Sequence, residues 1–177
     1  AAFVVLEDWE TAKKRGARIL AELAGYACRN DAKHLSRPDT AGQARAMRAA
    51  LSDAGLEETD IGHVNAHGTA TPIGDKVETE ALRAVFADHA NRLAISATKS
   101  MHGHLMGAAG AIEFVATVQA LVRRIVPPTM FLRQPDPELG LDFVPNKARQ
   151  MPELCAAMSN AFAFGGTNAV LVAQQPS

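Results

Sequence analysis

Four of the six histidines, His63, His67, His102 and His104, fall within 42 residues. Three of them, His67, His102 and His104, stand in two strings of small and polar residues. The first string is Val64-Asn65-Ala66-His67-Gly68-Thr69-Ala70-Thr71-Pro72-Ile73-Gly74-Asp75. The second runs Ser96-Ala97-Thr98-Lys99-Ser100-Met101-His102-Gly103-His104 and continues through Gly107-Ala108-Ala109-Gly110. A third, Ser159-Asn160-Ala161-Phe162-Ala163-Phe164-Gly165-Gly166-Thr167-Asn168, lacks histidine but mixes glycine with hydrogen-bonding side chains. Glycine beside a polar side chain lets a substrate approach the backbone closely. Two imidazoles, the Lys99 ammonium and nearby backbone N–H groups form a set able to stabilise a developing oxyanion.

Metal binding is the rival chemistry. His63-x-x-x-His67 has the spacing of two ligands on one helical face. On a strand the same step spans about 13 Å, too far for one ion. Thr71-Pro72 places a helix start after His67, which favours the strand, while His102-x-His104 keeps a chelating spacing. His34, His63 and His89 read as surface or satisfied core residues, and His102 as a loop residue. Glu113 lies in a run that is apolar on nearly every side, so its carboxylate is expected to be buried and to need a partner. Lys99 and Asn65 are the candidates, with Glu113 in a structural role.

Each string follows a short apolar run, and loops at one edge of a sheet converge on sites in α/β proteins. The strands predicted are Phe3–Leu6, Arg18–Ala27, Ile61–Ala66, Leu93–Ala97, Cys155–Phe162 and Ala169–Ala173, the last two joined through Gly165-Gly166. Glu10–Arg15 makes a short helix closed by Gly16. Thr40 and Gln43 have capping-box spacing. They open a helix whose apolar face is Ala44, Met47, Leu51 and Ala54, closed by Gly55. Thr71 as N-cap and Pro72 as first helical residue open another, striped by Ile73, Val77, Ala81 and Val85. Gly107–Arg124 is apolar all round and is expected in the middle of a domain. Pro127-Pro128, Pro135 and Pro137 mark a long irregular connection. Alternating strands and helices imply an α/β layered fold.

The chain has 177 residues, 47% apolar and 21% charged, which is the composition of a folded domain and excludes a disordered chain. Eighteen Lys and Arg against nineteen Asp and Glu leave a net charge of −1, with no basic excess for a nucleic-acid partner. No apolar run is expected to reach the roughly 18–20 residues of a membrane span. Two cysteines, Cys28 and Cys155, make neither a disulfide framework nor a metal motif, and Cys155 is expected on a core strand. The start, Ala1-Ala2-Phe3-Val4-Val5-Leu6, has no signal-peptide pattern. It suggests an excised segment or one chain of a divided protein, and a cytoplasmic location.

At its three strings the sequence resembles the β-ketoacyl-acyl-carrier-protein synthases, closest to the type II elongating and polyketide ketosynthases. Asn65-Ala66-His67-Gly68-Thr69 with Thr71 and Gly74-Asp75 resembles the first histidine motif. Lys99 with Gly103-His104 and Gly107–Gly110 resembles the lysine and second histidine motif. Phe164-Gly165-Gly166-Thr167-Asn168 resembles the C-terminal glycine-rich gate, although Ala161 and Ala163 stand where the family usually has Ser and Gly. The resemblance covers residues 1–177 but only the family's C-terminal half. It implies half of a thiolase-like αβαβα sandwich, a mixed sheet of about five strands with helices on both faces. The nucleophilic cysteine belongs to the N-terminal half, and neither Cys28 nor Cys155 replaces it.

The resemblance also implies a decarboxylating Claisen condensation between an acyl thioester and malonyl-carrier protein, in fatty-acid or polyketide synthesis. His67 and His104 would donate to the thioester oxygen, with Lys99 beside His104 disfavouring imidazolium. Phe164 and Gly165 would gate the site and complete an oxyanion hole. Thr69 and Thr71 would guide the carrier's phosphopantetheine arm, with no cofactor or metal bound directly. Glu113, Asn65 and Asn168 would support the loops. Acyl carrier protein and an N-terminal half, in the same protein or a companion chain, would be partners in a homo- or heterodimer. A non-catalytic partner of a ketosynthase, of the chain-length-factor type, is the alternative. A metal-dependent hydrolase and a thiolase, whose second cysteine is not matched here, are weaker ones.

Overall fold

The computed structural model describes residues 1–176. Asp8 caps the short helix α1 (Trp9–Lys14) by accepting from the Thr11 N–H at 2.9 Å, and Gly16 leaves it with φ 70°. β1 (Glu22–Asn30) follows, a few residues later than the apolar run alone predicts. Its ends are set by the antiparallel register with β7 (Thr167–Gln174), which starts at Glu22 opposite Gln174 and ends at Asn30 opposite Thr167.

Helix α2 (Thr40–Ala54) is capped by Asp39 rather than by the expected Thr40–Gln43 box. The Asp39 carboxylate accepts from the Gly42 N–H at 2.8 Å, while the Thr40 hydroxyl donates to Glu80. Gly55 closes the helix in the left-handed region, as expected. β2 (Ile61–Asn65), α3 (Pro72–Phe86) and β3 (Ala94–Ser96) follow in order. Next come the single turn α4 (Lys99–His102) and the long helix α5 (Ala109–Arg123). The proline-rich connection is bracketed by a two-residue ladder of β4 (Ile125–Val126) with β5 (Arg149–Gln150). β6 (Ala156–Ala163) and β7 close the chain as an antiparallel pair, joined by a 3-10 turn at Phe164–Gly166.

The five main strands lie in the order β1-β7-β6-β2-β3. β2 runs parallel to both β3 and β6, and the remaining pairs are antiparallel. The mixed five-stranded sheet carries helices on both faces, as expected. α2 and α3 bury Met47, Leu82 and Phe86 with Ile61, Ile95 and Val172 on one face. On the other, α5 buries Phe114 and Leu121 with Val126, Leu154 and Ala173.

Two expectations fail for one reason. Helix α5 is not buried all round: Glu113, Phe114, Thr117, Ala120 and Leu121 face the sheet, but Ala111 and Val122 are exposed. Beside it, Tyr26 and Cys28 of β1 also face outward. Phe3–Leu6, predicted as a strand, is unpaired, with Phe3 93% and Val5 92% exposed. These residues have the composition of a strand and a core helix, yet nothing among the described residues covers them. Cys155 is exposed just before β6 rather than buried on it. The segment Met106–Arg123 is long and apolar enough by composition to cross a membrane, correcting the expected absence of such a run. Here it is the helix packed on the sheet, with the Glu113 charge turned inward.

Candidate active site

Because β2, β3 and β6 are mutually parallel, their C-terminal ends share one sheet edge. β2 ends at Asn65, β3 at Ser96 and β6 at Ala163. His67, Lys99 and Phe164 are therefore delivered to the same place within three residues of those ends. The rings of His67 and His104 meet edge to face, with centroids 5.6 Å apart and planes at 85°. Both line one cavity of about 880 Å³ with Thr69, Thr71 and Phe164.

Hydrogen bonds fix which ring nitrogens carry protons. The Lys99 ammonium donates to His67 Nδ1 at 3.3 Å. The Met106 backbone N–H donates to His104 Nδ1 at 3.2 Å. Each Nδ1 is thus an acceptor, which leaves the ring proton on Nε2. Burial lowers the pKa of His67 from 6.5 to about 3, with further lowering by the Lys99 and His104 charges. Lys99 was expected to act on His104; the structure sets its ammonium against His67 instead. Lys99 is itself held by Glu113 Oε1 at 2.5 Å, with side chains 5% and 0% exposed. Burial raises the Glu113 pKa, and Lys99 opposes that rise. Glu113 therefore has the expected partner, and Asn65 bonds its backbone: Asn65 Nδ2 donates to the Glu113 carbonyl at 3.0 Å.

Glu78 was not foreseen. Its fully buried carboxylate accepts the His67 N–H on one oxygen and the Gly68 N–H on the other, both at 2.9 Å. Asn160 Nδ2 adds a third bond at 3.1 Å. Burial raises the Glu78 pKa against these bonds. One carboxylate on α3 thereby clamps the backbone that carries the first histidine. The sequence signal was a carboxylate four residues after Gly74 and four before Leu82, on the face that α3 buries.

The glycine turn is tied from several sides. Asn168 Nδ2 donates to the Gly166 carbonyl at 3.0 Å and Asn30 Nδ2 to the Gly165 carbonyl at 2.7 Å. The Gly165 N–H donates to the Leu35 carbonyl at 2.7 Å, so this amide is committed and leaves Phe164 as the oxyanion candidate. Gly166 has φ 75°, and a Cβ there would lie 2.1 Å from Asp31 Oδ1. The Phe164 ring is 78% exposed at the mouth of the cavity. Thr71 stands at the N-cap position, but its hydroxyl pairs with that of Thr69 at 3.2 Å rather than capping the helix. Both threonines line the cavity.

The other histidines lie outside this cluster. His63 is buried with Nδ1 on the Ala94 carbonyl, and burial lowers its pKa to about 4. His89 bonds the Ile61 carbonyl. His102 turns from His104 toward Thr98 and its own Gly103 carbonyl. Among the described residues no group of three or more His, Cys, Asp or Glu gathers as a metal site.

The shifts set a pH expectation. A folded pKa below the unfolded one means that the unfolded chain binds the extra proton first. Stability tied to neutral His67 and His63 is thus complete above pH 6.5 and is lost as pH falls toward 3–4. Urea unfolding at stepped pH should show a midpoint falling below pH 6.5. A turnover assay should show no activity-loss limb near 6.5 from protonation of His67. Such a limb assigned to His67 by ring NMR would contradict the buried neutral state.

The profile of the family described as "Beta-ketoacyl synthase, C-terminal domain" matches residues 20–133. Nodulation protein E of Rhizobium sp. (strain N33) is 50% identical over 175 residues, covering 99% of this chain and 43% of that protein. The 3-oxoacyl-[acyl-carrier-protein] synthase 2 of Coxiella burnetii is 49% identical, over 97% of this chain and 42% of its own length. A solved type II polyketide-synthase ketosynthase, in complex with its acyl-carrier protein, superposes with a TM-score of 0.92 at 36% identity. That match covers 97% of this chain and 42% of the solved one. The chain spans less than half the length of these relatives. With its paired histidines, lysine and glycine turn gathered at one sheet edge, the chain belongs to the β-ketoacyl synthase family, as its C-terminal domain.

Proposed function

We propose that this chain is the C-terminal half of a β-ketoacyl-acyl-carrier-protein synthase and supplies its decarboxylation machinery. The observation that carries this reading is the pair of edge-to-face rings, each with Nδ1 accepting a hydrogen bond and Nε2–H left to donate. Two such donors suit an oxygen that gains negative charge during the reaction. A malonyl thioester on a carrier's phosphopantetheine arm would enter past Phe164, its arm hydrogen-bonding the Thr69 and Thr71 hydroxyls. Cleavage of the malonyl C–C bond releases CO₂ and leaves its electron pair in an enolate, with the charge on the thioester oxygen between His67 and His104. The enolate carbon then attacks an acyl group carried on a cysteine thiol of the other half. The new C–C bond forms as the thiolate leaves, giving a β-ketoacyl thioester. The Phe164 N–H would serve the second oxyanion.

The N-terminal half, in the same protein or a companion chain, would cover the open side of α5, the outer face of β1 and Phe3–Leu6. Acyl carrier protein would be the second partner. The test is condensation of acyl- with malonyl-carrier protein by this chain alone and with the other half present. The chain alone should form no β-ketoacyl product, and the assembly should form it. Product from the isolated chain would overturn the half-enzyme reading. Absence of product from a folded assembly would overturn the condensation reading.

A further inference from the structure

His102 stands outside the paired rings, yet both of its own ring nitrogens face oxygen atoms. Nδ1 lies 2.8 Å from the Gly103 carbonyl, and Nε2 lies 3.2 Å from the Thr98 hydroxyl. Neighbouring groups fix where the protons of these contacts must be. The Glu113 carbonyl can only accept, so Asn65 turns Nδ2 to it at 3.0 Å and keeps Oδ1 for Thr98. Asn65 Oδ1 can only accept as well, so the Thr98 hydroxyl commits its proton there, at 3.2 Å. Thr98 and Asn65 are both buried. Toward His102 the hydroxyl then shows lone pairs alone, and so does the Gly103 carbonyl. Both contacts are hydrogen bonds only when both ring nitrogens carry protons, which is the imidazolium form. In either neutral tautomer one bare nitrogen faces an oxygen.

The two bonds span the turn that carries the site. Thr98 precedes α4, Lys99 opens it, and Gly103 follows it and leads directly into His104. Gly103 has φ 76°, and beyond its chain neighbours a Cβ there would meet nothing within 4 Å. Hydrogen bonds rather than packing therefore hold this glycine. Its N–H donates to the Lys99 carbonyl at 2.8 Å, and its carbonyl accepts from His102. We propose that His102, as an imidazolium, is a positioning residue that clamps the Gly103 peptide and thereby aims the His104 ring. The titratable groups around it are Lys99 on α4, Glu113 on α5 and His104 itself. Burial raises the Glu113 pKa, and the Lys99, His102 and His104 charges oppose that rise. The proline-rich connection meets the turn through Thr129 and Met130, which carry no charge. β2 meets it through the uncharged Asn65. The expected effect on rate rests on the decarboxylation reading above.

The clamp and that reading fail separately, because the first readout is spectroscopic. Nitrogen NMR of the assembly of both halves, followed between about pH 5 and 8, should show both His102 ring nitrogens protonated at the acid end. The His104 backbone amide should shift with the His102 midpoint, and that shift should be absent in His102→Gln. Release of CO₂ from malonyl-carrier protein should fall by about three- to tenfold as pH rises through the same midpoint, the usual net contribution of one hydrogen bond. The fall should lie in kcat with KM unchanged, because His102 lies outside the cavity of the paired rings. His102→Gln takes up no proton and should show the lower rate throughout this range. His102→Arg keeps charged donors and should hold the higher rate throughout, with circular dichroism confirming the fold of both variants. A His104 amide that ignores the His102 titration would overturn the proposal. So would a rate step that persists in folded His102→Gln, or an active parent assembly without the step. A coupled amide in an assembly that releases no CO₂ would strike only the decarboxylation reading and leave the clamp standing.

Discussion

His67→Ala or His104→Ala, in an assembly containing the N-terminal half, is expected to cut CO₂ release from malonyl-carrier protein by about 10²–10³. That is the usual effect of deleting one preorganised donor to a developing oxyanion. The rings meet at 5.6 Å and in the proposed mechanism serve one oxygen, so the double variant should lose far less than the product of the two single losses. The measurement is the initial rate of CO₂ release, paired with circular dichroism to show that the fold persists. Near-normal release from either folded variant would remove that ring from the proposed mechanism. In that mechanism the donors are ready before substrate arrives, because Lys99 and the Met106 N–H occupy the opposite ring nitrogens.

The sequence exposes His67, Lys99 and His104 for a local reason. Each sits among Gly, Ser or Thr just beyond an apolar strand, and parallel pairing of β2 with β3 and β6 brings those ends together. Helices α2 and α3 are readable for the same kind of reason, since their apolar stripes repeat at helical intervals. What stays hidden is non-local. Glu78 stands on the face that α3 buries, but its partners are hidden until the loop after β2 folds over it and presents two N–H groups. Phe3–Leu6 has strand-forming residues, but a strand needs a partner, and local composition does not say that none stands among the described residues. The open side of α5 is the same lesson in a helix: apolar residues on every side demand cover on every side. Even the start of α2 turns on one position, because Asp39 caps it on the Gly42 N–H, one residue earlier than the Thr40–Gln43 spacing implies.

The Lys99–Glu113 pair links the site to stability. Both side chains are almost wholly buried, and the Glu113 Oε2 atom has no partner of its own. Removing either charge strands the other in a dry interior, which typically costs 3–5 kcal/mol. Lys99→Met and Glu113→Leu should therefore each lower the free energy of urea unfolding by about that amount. The double variant, with no charge left unpaired, should recover most of the loss. Activity should not recover with it. Without Lys99 nothing donates to His67 Nδ1, so the ring is free to take the other tautomer and present a bare nitrogen to the substrate oxygen. Burial, the larger cause of the depressed His67 pKa, would remain, so the ring would stay neutral and the defect would lie in tautomer rather than charge. Nitrogen NMR of the His67 ring separates these outcomes. An Nε2–H ring and full decarboxylation in the double variant would show that Lys99 serves only to neutralise Glu113. Single variants as stable as the parent would show that the pair is not desolvated.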